Sequence, residues 1–431
     1  MRLTWVQPED LLPHQLVQSR SEGVEVEDVA ARWIAAGGSV VAPVSGASAE
    51  PADEAQRRLA LELLDLLDAR TPTPPEFVVP AGVSLSGASK SDRVVQAWAG
   101  RAAGCLLGKP VEKIPREGIR EILASSGQWP LRRYITAKGV PDDVQARWPW
   151  NRRSRPTSLR ENINGMPEDD DLNFAILALQ MVERFGAGLS TEAVAQAWLD
   201  NLPAGRVFTA ERVAYRNLLA GVEPGRTALV RNPFREWIGA QIRTDVYGWV
   251  NPGDLSAAAR LAVADARLSH TGAGVEGAVW VAAMSAAALV LDDAESVIDA
   301  SLRVLPADGA ISQAVRFGVS LADLDLDKAL DELHAGYGGL HWVHSVNNSA
   351  LTAYALTAAQ GDFGTGIGIA VMGGWDTDSA GATVGAVLGA LHGVPDEWAG
   401  LLRNRIATSL PGMDQVRIDE LARRTVEVAT R

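Results

Sequence analysis

Two short acidic runs hold the residues best suited to chemistry. Glu168-Asp169-Asp170-Asp171 follows Pro167 and precedes the apolar run LNFAILAL, and Asp376-Thr377-Asp378-Ser379 precedes AGATVGAVLGALHG. Each stands at a predicted helix start, where an acid caps free N–H groups and complements the helix dipole for about 0.3–1 kcal/mol. Capping needs one or two carboxylates, and four in succession repel one another beyond that need. In the second run Thr377 sets the i, i+2 spacing of the two aspartates, and Gly381, Gly385 and Gly389 follow at i, i+4 on one face. Such a face lets another backbone approach closely, despite about 1 kcal/mol of helix propensity lost per glycine. A carboxylate pair heading a buried helix then faces several kcal/mol of desolvation per ion unless something cationic neutralises it.

Carboxylates with a threonine or serine hydroxyl are hard donors that suit Mg²⁺, Mn²⁺ or Ca²⁺. Zinc more often recruits histidine or thiolate, and neither run offers those softer ligands. Each run alone is also explained by capping. Together they point to a shared metal site, where bound water is acidified and substrate oxygens are clamped, so hydrolysis is the natural reaction class. A third segment, AGRAAGCLLGKPVEK, repeats the texture with Gly100, Gly104 and Gly108 four apart and Glu112 just past the end. By itself it reads as a close-packed helix ending in a glycine-proline turn, with Glu112 a solvated loop acid.

Other residues carry two readings each. His270 is either a satisfied core histidine or a substrate contact. His341 and His344 have i, i+3 spacing but no third ligand nearby for zinc. Asn347 and Asn348 either cap the next helix or face a pocket. The irregular stretch from Arg132 to Asp171 carries Arg152, Arg153, Arg155 and Arg160, and loops beyond about 12–15 residues are uncommon without a role. Those arginines are either a charge-balanced solvated loop or an arm toward an anionic group such as phosphate. The 13 tryptophans read mostly as packing residues, with Trp375 beside Asp376 a candidate for stacking on a base or ribose. No phosphate-binding G-x-x-x-x-G-K-[ST] loop or G-x-S-x-G elbow occurs. A conventional glycosidase would also use paired acids, but their clustering favours the metal route.

The elements that must position these groups are helical nearly everywhere, with apolar residues every three or four positions and stops at glycine or proline. Strand signals are confined to GSVVAPV and EFVVPAGVSL, and no strand–helix alternation occurs, so an all-α, multi-helix fold is expected. The 431 residues, 47% hydrophobic and 22% charged, suit a large globular body with an appendage. Thr71 to Asp92, rich in proline, serine and glycine, reads as the linker, giving residues 1–88 as appendage plus linker and 89–431 as the main domain. No repeat of 20–50 residues is detectable. A net charge of -13 disfavours nucleic acid and anionic lipid as partners. The apolar stretch Gly277–Leu291 is short of the roughly 20 residues a membrane span needs. The single cysteine, Cys105, allows no internal disulfide, and MRLTWVQPEDLL lacks signal-peptide features, so a cytoplasmic protein is expected.

The three glycine and acidic segments, in this order, resemble the ADP-ribosylglycohydrolase family, in its longer bacterial form. The family pattern G-D-x-x-G-x-P-x-E is similar to Gly104 through Glu112, T-D-D-T to Glu168 through Asp171, and G-G-D-T-D-T to Gly373 through Ser379 with Trp375 added. The resemblance implies an orthogonal helical bundle holding two Mg²⁺ ions, with Mn²⁺ as substitute, on Glu168, Asp169, Asp170, Asp376, Asp378 and Ser379. It implies catalytic roles for Glu112, Asp169 and Asp378, and substrate contacts at Gly239, Arg243, His270, Gly374 and Trp375. The implied reaction is cleavage of the C1 bond of an ADP-ribosyl or related ribosyl substrate, attached to a protein or to a small molecule. Two alternatives stay open: an N-ribosyl hydrolase of free nucleosides or small conjugates, and a non-catalytic protein that keeps the fold. Cys105 in place of aspartate and Glu168 in place of threonine depart from the pattern.

Overall fold

The spacing of glycines decides how the centre of the molecule is built. In the computed structural model, which describes residues 2–431, the helices Arg93–Gly108 and Thr377–His392 lie against each other backbone to backbone. A Cβ on Gly381 would stand 2.5 Å from the Gly104 carbonyl oxygen, and one on Gly389 would stand 2.5 Å from that of Gln96. Gly100, Gly104 and Gly108 likewise face the carbonyls of Gly385, Gly381 and Thr377 with no room for a side chain. Thr377 does more than space its neighbours, since its hydroxyl donates to the Gly108 carbonyl at 3.0 Å and ties the two helix ends together.

Around this pair pack Asp170–Phe185, Gly272–Ala288, Ser345–Ala358 and Phe363–Met372, making an all-α fold. The apolar stretch Gly277–Leu291 lies mostly in the Gly272–Ala288 helix and is buried on nearly every side. Among the described residues no helix is long and apolar enough to cross a membrane. Tryptophans fill the interior, with Trp98, Trp198, Trp249, Trp280 and Trp398 fully enclosed.

Neither expected strand forms. Val41 and Val78 are exposed, and of the two segments only Ser84 makes an isolated bridge, to Asp254. Pro43 and Pro80 remove donors from these segments, and a lone extended segment has no ladder to join. The two-residue strands Arg405–Ile406 and Val416–Arg417 pair antiparallel instead, a feature without a readable sequence signal.

At the N-terminus, Pro8–Ser21, Glu27–Ala35 and Glu54–Arg70 are helices that dock on the segment around residues 231–237. Trp5 meets Phe234 and Trp237 edge-on at 5.4 and 5.8 Å, Glu22 pairs with Arg235 at 2.6 Å, and Asp65 with Arg231 at 2.6 Å. The following strap is held by hydrogen bonds from Ser256 to the Pro80 carbonyl and from the Leu85 amide to Gly253. Between strap residues Thr73–Val78 and the segment Arg267–Gly272 lies a cavity of about 620 Å³.

Candidate functional site

Three helix ends converge: the C-terminal end of Arg93–Gly108 with the turn Lys109–Val111, and the starts of Asp170–Phe185 and Thr377–His392. Asp169 caps its helix, its carboxylate accepting from the Asp171 amide at 2.9 Å. Asp376 occupies the cap position of the other helix but makes no side-chain cap bond, so capping does not account for it. Its amide donates to Asn348 Oδ1 at 3.1 Å, which fixes the turn before it. Gly374 enters that turn at φ +74°, with Arg116 backbone 2.5 Å from where a Cβ would stand, a place only glycine can take. The Ser379 hydroxyl donates to Asp171 Oδ2 at 3.1 Å and joins the two acidic helix starts directly.

The charges on these groups do not balance. Burial first, then neighbouring carboxylates, push the carboxyls of Asp170, Asp171 and Asp376 well above the ordinary range. Burial, with Glu112 and Asp169 facing it, raises Asp378 to about 7. Two buried cations reach the cluster. The Lys109 ammonium bonds the Asp169 carboxylate and stands 3.3 Å from the Glu168 carbonyl. Against burial, Lys109 holds the Asp169 carboxyl below its usual range. Arg101 donates to the Asp171 carbonyl at 2.9 Å and approaches its carboxylate at 3.3 Å, but it also bonds Asp245. Six carboxyls, on Glu112, Asp169, Asp170, Asp171, Asp376 and Asp378, thus meet two cations, and ionising all six would leave four negative charges uncompensated. Buried charge of that size needs further counter-charge or protons.

The cluster also holds a softer donor than the two acidic runs offer by themselves. Cys105, from the glycine helix, places its sulfur with carboxylate oxygens of Asp169 and Asp171, all within 4.8 Å of one another. Burial pushes its thiol up, so it stands there as a neutral S–H. Glu112 is not a freely solvated acid: Asn151 donates to its Oε2 at 2.6 Å, and its charge acts on Asp170, Asp376 and Asp378.

The remaining expected site residues are placed differently. Glu168 is engaged by other partners, its two oxygens accepting from Asn173 at 2.8 Å and Arg206 at 3.1 Å. Arg243 is buried and saturated, pairing with Asp265 at 2.7 Å and Glu211 at 2.6 Å and donating to the Gly239 carbonyl and Ser269 hydroxyl. It holds the Ile238–Arg243 turn, in which Gly239 has no room for a Cβ beside Glu211. His270 shares a 2.8 Å hydrogen bond with Ser269 through Nδ1, while its buried Nε2 has no partner. Trp375 is 5% exposed, with His334 stacked on its ring at 4.5 Å. His341 stacks on Trp237 at 4.1 Å and His344 caps the Ser345–Ala358 helix, so the two do not form a metal pair. Asn348 serves the Asp376 turn as well as local carbonyls. Sequence reading missed Arg101, Lys109 and Asn151; an arginine inside AGRAAG was a usable signal for the first, and the other two had none.

Comparison with known proteins places the chain in a family. A protein of Archaeoglobus fulgidus described as uncharacterized is 27% identical over 311 residues, 71% of this chain and 90% of that protein. A solved structure described as an ADP-ribosylglycohydrolase-related protein complex is 21% identical, covering 79% of this chain and 98% of that one at a TM-score of 0.49. The family model described as ADP-ribosylglycohydrolase matches residues 86–431, which include all three converging helix ends, and the chain belongs to that family.

Proposed function

We propose that this chain is a Mg²⁺-dependent glycohydrolase that cleaves the C1 glycosidic bond of an ADP-ribosyl or related ribosyl substrate. The observation that carries this reading is a buried cluster of six carboxyls with only two cations where three helix ends meet in a member of this family. The donor set fits the ion: Asp169, Asp170, Asp376 and Asp378 with the Ser379 hydroxyl are hard oxygen donors, and the four charges that full ionisation would leave over equal the charge of two divalent ions. Glu168 would join them only by leaving Asn173 and Arg206. When bound, Mg²⁺ or Mn²⁺ supplies Lewis acidity toward ribose oxygens and lowers the pKa of water.

The chain's own groups supply the rest. Before an ion binds, Asp378, raised to about 7, can hold a proton at a carboxylate oxygen near neutral pH, which a bound ion would displace. Glu112, oriented by Asn151, lies at the partly exposed rim where a leaving group can be reached. Lys109 and Arg101 fix Asp169 and Asp171 so that these need not reorganise. Residues 1–88 are, on this reading, an appendage to a catalytic body of residues 89–431.

The test is the double variant Asp376→Ala/Asp378→Ala, assayed for bound Mg²⁺ and for release of ADP-ribose from arginine and serine conjugates. Loss of both metal and turnover is expected. Unchanged metal content with unchanged turnover would sink the proposal.

A further inference from the structure

Two arginines beside the acidic cluster have no carboxylate of their own. Arg153, on the irregular arm, and Arg212, in the helix Thr209–Leu219, both approach one aromatic ring, with their guanidinium carbons 5.9 and 4.9 Å from the centroid of Phe208. Neither makes an ion pair among the described residues, although the chain carries 53 acidic residues against 40 basic ones. Arg212 is only 7% exposed. Its terminal nitrogens donate to neutral oxygens, the Thr4 carbonyl at 3.0 Å, the Thr4 hydroxyl at 2.9 Å and the Gly205 carbonyl at 3.4 Å, and its buried Nε has no partner. A buried, unpaired guanidinium with a free N–H is unfavourable unless an anion completes it.

The position ties this pair to the carboxylate site. Arg206, just before Phe208, pairs with Glu168, the first residue of the acidic run. Burial and then Arg153 lower the Arg212 pKa to about 10, while Asp170 opposes them, so both charges act on this guanidinium. Two guanidinium groups gathered at one phenyl ring with no carboxylate of their own suit an oxyanion, which accepts several N–H bonds at once, better than they suit a neutral group. The N-terminal appendage takes part, because Thr4 holds the fork of Arg212 in place.

We propose that Arg153 and Arg212, lying against Phe208, form an anion subsite at the rim of the carboxylate cluster that takes a phosphoryl or diphosphoryl group of the substrate. This rests on the ribosyl-hydrolase reading for its substrate, but the anion site itself does not depend on it. Arg153 supplies an exposed charge and Arg212 a buried one held by Thr4 and Gly205. Metal ions at the carboxylates and arginines at this rim would then divide the substrate, sugar on one side and phosphate on the other.

Inorganic pyrophosphate titrated calorimetrically into the EDTA-treated full chain at low salt is the first arm. Binding is expected, weakened about tenfold or more by Arg153→Ala, as for loss of one charge-assisted contact, and unchanged by Arg152→Ala. Arg212→Lys, which keeps charge and bulk, is expected to weaken it as well while leaving the far-UV spectrum unaltered. Absence of pyrophosphate binding, or equal binding by the wild type and Arg153→Ala, overturns the subsite. The second arm titrates ADP-ribose and free ribose with Mg²⁺ present: Arg153→Ala is expected to weaken ADP-ribose and to spare ribose. Arginine-dependent pyrophosphate binding without any ADP-ribose binding would overturn the ribosyl substrate and leave an anion site for free phosphate.

Discussion

Replacing Lys109 by methionine tests the charge balance of the site most directly. The ammonium is buried, bonds the Asp169 carboxylate and sits 3.3 Å from the Glu168 carbonyl. At about 4 Å and an effective dielectric near 20, two unit charges interact by roughly 4 kcal/mol. Removing one partner of a buried pair typically destabilises by about 3–5 kcal/mol. The metal-free Lys109→Met chain should therefore unfold at distinctly lower denaturant than the wild type in EDTA. The same ammonium repels any divalent ion that the carboxylates hold, so its removal should tighten Mg²⁺ binding, by about ten- to a hundredfold if it yields 1.4–2.8 kcal/mol. Calorimetric titration of Mg²⁺ into the stripped protein measures that change, and denaturation in saturating Mg²⁺ should show most of the lost stability restored. Lys109→Arg, which keeps the charge, should behave like the wild type. A folded Lys109→Met chain that binds Mg²⁺ more weakly would refute the reasoning, because the ammonium would then organise the site and not compete for it.

Two further predictions concern the scaffold and its protons. Gly104→Ala puts a Cβ against the Gly381 carbonyl; overpacking of this kind costs about 1–3 kcal/mol, and parting the two helices should also weaken Mg²⁺ binding, which calorimetry would detect. Unaltered stability would mean that the helices separate freely. In the metal-free chain the carboxyl of Asp378 is raised to about 7, and those of Asp170, Asp171 and Asp376 are raised as well. The folded state then binds more protons than the unfolded one, so stability should fall as pH rises from about 4 through 7. Melting in EDTA between pH 5.5 and 8 should show that fall, and saturating Mg²⁺, which binds the ionised forms, should flatten it; a rise with pH in EDTA would contradict the electrostatic account.

The site was legible where local pattern governs and illegible where side-chain direction does. The acidic runs and glycine faces were readable because capping and i, i+4 spacing are short-range. Four consecutive acids across a helix start do not all face one point, since Asp169 is extended and the helical turn begins at Asp170. Only the packed structure turns Glu168 toward Asn173 and Arg206 and sends Asp169 to Lys109. The resemblance implied substrate contacts at Arg243 and His270; the structure shows Arg243 held between Glu211 and Asp265, and His270 buried with Ser269 bonded to its ring, partners that spacing did not reveal. Which buried charge serves structure and which serves a ligand depends on partners distant in the chain, which spacing cannot reveal.

By itself the sequence determined that the chain is helical, that two helices carry glycine faces open to a close backbone approach, and that acids stand at helix starts. These follow from backbone sterics and hydrophobic periodicity, which act within a few residues. Tertiary structure alone decided that Cys105, Lys109 and Arg101 join the carboxylates, and that Thr377 staples the glycine helices. It also brought Arg153 and Arg212 together on one ring. The physical reason is that a charge buried without a local partner must find one across the fold, and that search is settled by packing.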